Sequence, residues 1–145
     1  MAESKSGRVY PLAAYNYRVT IGGTAVSFTE VSGLAIEYEK VTYKHGLSFW
    51  EGESIKSYRY DKYVPVTLKK GIIKGGKQLY DWMTAMDTRN LDISLCDENG
   101  IPVVTWHIGK AVPLKLAAPS FQANTNEVAI ETFELMAARI TIAYD

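Results

Sequence analysis

The stretch GIIKGGKQ, residues 71–78, places Gly71, Gly76 and Lys77 at the spacing of a phosphate-cradling P-loop. That chemistry needs backbone amides and a lysine around the phosphates and a hydroxyl on Mg²⁺, and Gln78 stands where the hydroxyl belongs. Downstream, LDISLCDE ends an apolar run in Asp97 and Glu98, as a metal-holding second motif would. Other candidates are thinner. His45 and His107 are the two histidines and Cys96 the single cysteine, with no HExxH or clustered-cysteine spacing to build a metal site. No GxSxG elbow marks a nucleophile. Glu37 and Glu39 share a strand face, where a solvated or interface-facing acidic stripe is a simpler account than a general acid and base.

A P-loop works between a buried parallel strand and a helix whose N-terminus receives the phosphates. Here the preceding VPVTLK alternates through Val64, Val66 and Leu68 as a half-exposed strand does. LDISLCDE also alternates, with Asp92 and Ser94 opposite Leu91, Ile93 and Leu95, and runs into a DENG turn. Gly71, Gly75, Gly76 and Lys77 therefore read as the turn before a helix, and Lys69, Lys70 and Lys74 join Lys77 as solvated or partner-facing cations. No catalytic residue, cofactor or metal is expected, and the chain reads as a non-enzyme.

The helix itself is KQLYDWMTAMDT, where Leu79, Trp82, Met83 and Met86 fall at i, i+3, i+4 and i+7 and predict one buried stripe. Elsewhere the chain is β-rich. Tyr15, Tyr17, Val19 and Ile21 alternate with polar residues; Gly22 and Gly23 turn the chain into TAVSFTEV, and AIEYEKVTY predicts a third strand. After the helix come LDISLCD, PVVTWHI, AVPLKLA, NEVAIETFEL and ARITIAY. Many strands with one flanking helix predict an antiparallel β-sandwich or barrel. At 145 residues the chain suits a single domain, 1–145, with a polar arm over about 1–9 and a long loop or hairpin at about 44–63. Sixteen basic and sixteen acidic residues cancel, which excludes the broad positive field of a nucleic-acid or membrane-surface binder. No run approaches a membrane span or a signal core, so cytosolic synthesis is expected. The ten tyrosines suit an interface, which leaves open a small β-domain that binds a protein or glycan through a Tyr-rich surface.

Three stretches in order, FTEVSGLAIEYEKVTYKHG, VPVTLKKGIIKGGKQLYDWM and DENGIPVVTWHIGKAVPLKLAAPSFQANTNEVAIETFEL, resemble the inner tube proteins of contractile phage tails and related extracellular injection machines. The resemblance runs from about Tyr17 to Leu135. It implies a β-barrel or sandwich with one flanking helix, six copies in a ring, and rings stacked into a tube inside a contractile sheath. Implied partners are further copies of the chain, the sheath protein, baseplate or spike-hub and tube-terminating proteins, and a cargo or tape-measure protein in the lumen. Assembly in the bacterial cytoplasm, into a virion tail or an extracellular particle, follows from the same likeness. The chain carries FWEGESIKSYRYDKY where many members have a short basic-Pro-Gly segment. Its aromatics Phe49, Trp50, Tyr58, Tyr60 and Tyr63 stand among charges, the composition of an assembly contact, with a hairpin folded back on its own sheet as the alternative.

Overall fold

The structure, a computed structural model, describes residues 12–44 and 55–145. Its strands are β1 (Tyr17–Ile21), β2 (Thr24–Val26), β3 (Glu30–Ser32), β4 (Tyr38–Lys44), β5 (Ile55–Asp61), β6 (Val64–Gly71), β7 (Arg89–Cys96), β8 (Pro102–Ala117) and β9 (Ile130–Tyr144), with one helix, α1 (Gln78–Ala85). Seven strands pair antiparallel in the order β2-β1-β7-β8-β9-β6-β3, and β4 and β5 pair separately as a hairpin. The mainly β, antiparallel fold with one flanking helix is as the sequence pattern implies.

TAVSFTEV, which alternation alone presents as one strand, is split between the two edges of the large sheet. β2 lies at one edge and β3 at the other, and only residues 27–29 separate them. Four Cα steps reach at most about 14 Å. A flat seven-stranded sheet is wider than that, so the sheet has to roll until its edges meet. The crossing segment is fastened on both sides: the Tyr17 hydroxyl donates to the Phe28 carbonyl at 2.7 Å, and the Thr29 N–H donates to the Lys69 carbonyl at 2.7 Å. Loss of solvent, with Glu30 nearby, raises the pKa of the Tyr17 phenol, which keeps it protonated as the donor.

Rolling puts alternate residues of distant strands into one core. Val19 and Ile21 of β1, Leu91 and Ile93 of β7 and Ile108 of β8 meet Val64, Val66 and Leu68 of β6 and Phe133 and Leu135 of β9. Each buried aliphatic or aromatic side chain contributes about 1.5–3 kcal/mol. Helix α1 plugs this core with Leu79 and Trp82, both buried, and Met83 packs against it half-buried. The Trp82 ring meets Phe133 with centroids 5.2 Å apart, while its indole N–H donates to the Asp87 carbonyl at 2.9 Å. The expectation that Met86 completes the stripe is corrected. The helix ends at Ala85; Met86 takes a left-handed conformation, φ 56°, as the C-terminal cap, and its side chain is 81% exposed. A residue past the last helical turn no longer follows the helical period.

β8 and β9 each span what reads as two strands, and the apparent break is a bend. In β9 the buried residues are Phe133, Leu135 and Ala137, then the parity changes and Ala138 and Ile140 turn inward. The change falls at Arg139, a non-glycine residue with φ 58° in mid-strand. Opposite it stands Gly109 of β8, where a Cβ would lie 3.2 Å from the Arg139 Cβ and 3.3 Å from its carbonyl oxygen. The two strands thus bend together and lead the sheet from one half of the core to the other, as corner strands do.

Two stability tests follow, read by urea unfolding. Gly109→Ala should cost about 1–3 kcal/mol by overpacking the bend, and adding Arg139→Gly should recover part of the loss by removing one clashing atom and about 1–2 kcal/mol of left-handed strain. Trp82→Ala should cost about 3–5 kcal/mol, whereas Met86→Ser should stay within about 0.5 kcal/mol.

Candidate assembly surface

The glycine turn has no free cradle for a phosphate. Strand β6 runs antiparallel to both its neighbours, β3 and β9, so no parallel strand feeds the turn. Three amides of the loop are already engaged: Ile72 N–H bonds the Ala129 carbonyl, Gly76 N–H that of Ile73, and Lys77 N–H that of Gly75. Gly75 has φ 75°, the left-handed position that makes glycine the natural residue there, and Gly71 closes β6 opposite Ile130. Lys77 sits exposed at the helix N-cap without a side-chain bond.

Lys70 departs from the solvated reading. It occupies an inward position of β6, 4% exposed, with its ammonium 3.3 Å from the Gly71 carbonyl and 3.9 Å from Glu131 directly across the ladder. The carboxylate of Asp97 is likewise committed, accepting the N–H groups of Asn99 and Ile101 at 2.9 and 3.0 Å to hold the DENG turn. His107 pairs with Asp92 at 2.7 Å on the sheet face turned away from the core, beside the cross-strand hydroxyl pair Ser94 and Thr105. Among the described residues, no three His, Cys, Asp or Glu side chains gather as a metal site.

What the surface does offer is unpaired backbone and exposed apolar side chains. Edge strands β2 and β3 each have one open side. In β9, residues 130–137 pair with β6, but among the described residues no strand pairs on that side of residues 138–144. At one end of β6 the exposed Ile72 and Ile73 lie beside Val128 and Phe121 is exposed in the same β8–β9 connection; at the other end are Ile36, Tyr38 and Tyr63. The Tyr63 ring also lies 5.7 Å below the Lys110 ammonium, which holds it against its own β8.

The hairpin begins earlier than the loop read from the sequence. Tyr38 pairs with Asp61, and the ladder continues to Lys44 opposite Ile55. AIEYEKVTY therefore enters an arm and not the main sheet. The arm's base is tied by Lys62 N–H to the Glu37 carbonyl at 3.1 Å and by a Lys62–Glu37 ion pair at 2.8 Å. Tyr58 and Tyr60 lie on β5 opposite Val41 and Glu39, while Phe49 and Trp50 fall outside the described residues.

Residues 13–141 match the family described as T4-like virus tail tube protein gp19. The chain belongs to this tail tube family. Among solved structures, it is similar to a chain of the sheath–tube complex of an extracellular contractile injection system, PVC, at 28% identity and TM-score 0.80, covering 99% of this chain and 100% of that one. It is also similar to a chain of the tube-terminating cap of the anti-feeding prophage, at 31% identity and TM-score 0.78, covering 97% and 98%. Hcp1 from Flavobacterium johnsoniae shares the fold at 15% identity and TM-score 0.51, covering 89% of this chain and 95% of that one. No curated protein matches the sequence. The chain is thus a structural subunit of a contractile tail or injection-machine tube, and the rival reading as a binding domain is not favoured.

For a tube subunit, the open edge of β9 is the feature that sequence reasoning missed. The sequence carries only the change of phase beside it: apolar residues fall at Phe133, Leu135 and Ala137 and then at Ala138, Ile140 and Ile142. Gly33 has φ 88° and sits against the Pro65 carbonyl, so that any Cβ there would strike backbone. Gly33→Ala should therefore cost at least about 1–3 kcal/mol from strain alone, and Lys77→Ala, at an exposed position, should stay within about 0.5 kcal/mol. Thermal unfolding of the two variants checks both.

Proposed function

We propose that this chain, acting as one tail-tube domain, forms six-membered rings that stack into an inner tube around a channel for DNA or protein cargo. The observation that carries the reading is the set of open strand edges on one rolled sheet, β2, β3 and residues 138–144 of β9. Such edges invite uncontrolled pairing unless neighbours close them, and a head-to-tail contact between unlike edges closes into a ring. The two apolar ends of β6 are unlike as well: isoleucines at one end, tyrosines and the hairpin base at the other. Unlike ends stack head to tail and propagate as a tube.

In such a ring the sheet face bearing Arg18, Thr20, Asp92, Ser94, Thr105 and His107 offers a channel polar side chains with charges of both signs and no single-sign field. Cargo would pass such a lining without being gripped. The partners that fit are those of the assemblies in which similar chains occur: a contractile sheath, a baseplate and a tube terminator. The assembled particle is a phage tail or an extracellular injection machine. No enzymatic step is assigned, because three of the amides and the carboxylate that mimic a nucleotide site are occupied by the fold's own groups.

The hairpin supplies the stacking contact in this reading, with Phe49 and Trp50 as anchors and Tyr58, Tyr60 and Tyr63 nearer its base. Negative-stain microscopy of the full chain at high concentration should show rings or tubes. The Phe49→Asp/Trp50→Asp double variant should keep its circular dichroism and its rings but lose tubes, since charge in a dry contact has no partner. Normal tubes would remove the hairpin from stacking. A strict monomer in the unmodified chain, or micromolar Mg-ATP binding abolished by Lys77→Ala, would sink the structural reading itself.

A further inference from the structure

Beside the seam of the rolled sheet opens a cavity of about 160 Å³, lined by Tyr17, Val31, Leu34, Leu95, Trp106 and the buried Ile93. An apolar cavity of about 150 Å³ accommodates a ring the size of benzene. Of the two polar groups among these six side chains, the Tyr17 hydroxyl is already spent on the Phe28 carbonyl at 2.7 Å, and the other is the indole N–H of Trp106. What remains on offer is mostly apolar surface from four separate strands and the segment after β3, all but Ile93 half-buried. Water covers such a surface poorly.

Ala14 also borders the cavity, which brings the segment before β1 to its edge. The Asn16 N–H donates to the Ala13 carbonyl at 3.3 Å, a turn that reverses the chain just before β1. The turn is pinned to the end of β7: Cys96 N–H donates to the Asn16 carbonyl at 2.8 Å, and the Asn16 side-chain amide donates to the carbonyls of Cys96 and Asp97. The described residues thus begin within two positions of the cavity's rim at Ala14. In MAESKSGRVYP, residues 1–11, Val9 and Tyr10 are the adjacent bulky apolar pair in a polar stretch. Tyr10 is four Cα steps from Ala14, within about 14 Å. Pro11 biases Tyr10 toward extended backbone, which lengthens rather than shortens that reach.

We propose that Tyr10, with Val9 beside it, docks in this cavity of its own subunit and latches the seam between β1 and β3. The latch acts where the rolled sheet has the fewest hydrogen bonds of its own, across the gap that residues 27–29 bridge. It is independent of the tube reading, since a latched seam serves the lone subunit as well as the ring.

The test pairs Tyr10→Cys with Leu34→Cys in a Cys96→Ser background, oxidised and analysed by non-reducing gel and intact mass. A disulfide requires the two Cα atoms within about 7 Å. A reductant-sensitive link within one chain is expected. A link joining two chains would assign the cavity to a second copy's arm and overturn the proposal, and so would the absence of any link. A second measurement guards against a cysteine pair that perturbs folding: acrylamide quenching of Trp106 in a Trp50→Phe background, where the remaining Trp82 is buried. Val9→Ser/Tyr10→Ser should increase the quenching and lower the melting temperature, while Tyr15→Ser, at an 85% exposed position, should change neither. Unchanged quenching in the double variant would equally overturn the latch.

Discussion

The constraint on which the rest of the structure depends is the crossing of residues 27–29 from one edge of the large sheet to the other. A connection this short cannot span a flat seven-stranded sheet, so it forces closure. Closure in turn decides which side chains are core. Val19 and Val66 stand on strands far apart in the sheet order, yet both are buried in one cluster. The hydrogen bonds of Tyr17 and Thr29 to the crossing are modest individually, about 1 kcal/mol each. The Thr29 bond extends the β3–β6 ladder by one residue, and the Tyr17 bond ties the same crossing to β1, which no ladder does.

A rolled sheet of long strands has to turn corners, and one such bend lies where Arg139 of β9 faces Gly109 of β8. Arg139 takes the left-handed conformation and Gly109 leaves space for it, so the local cost falls on one residue while the opposite strand follows without a register shift. The helix fills the remaining opening. Trp82 does so with its ring on Phe133 and the Arg89 guanidinium 5.5 Å above it. The ring's one polar atom is satisfied by the Asp87 carbonyl, which is the condition for burying indole without penalty.

Function follows from what closure leaves undone. Pairing is complete through the middle of the sheet and incomplete along β2, β3 and residues 138–144 of β9, so the subunit presents backbone groups that neighbours of the same kind can satisfy. The hairpin is a second consequence. Because β4 pairs with β5 and, among the described residues, with no strand of the main sheet, the pair stands as an arm. A chain built this way has its chemistry in its edges and ends, and the P-loop-like spacing of Gly71, Gly76 and Lys77 is the by-product of a turn that must let Lys70 pass beneath it.

Local physics made much of this legible in the sequence by itself. Period-two alternation marked β6 and β7, the 3.6-residue stripe placed Leu79 and Trp82 on the buried side of α1, and the DENG and Gly-Gly turns stood where glycine and asparagine chemistry puts them. Each of those signals is carried by neighbours in the chain. Three features needed the tertiary structure. Met86 satisfies the helical period but lies past the helix end, which is set by the Trp82–Asp87 hydrogen bond and the start of β7. TAVSFTEV alternates as one strand, and only the pairing of Glu30 with Lys69 and of Val26 with Val19 sends its halves to opposite edges. Lys70 is a cation in an alternating strand whose parity turns it inward, and its burial is tolerable only because Glu131 and the Gly71 carbonyl lie within reach across the ladder. Alternation tells which residues share a face; which face meets the core is decided by the partners that long-range pairing brings, and those are distant in sequence.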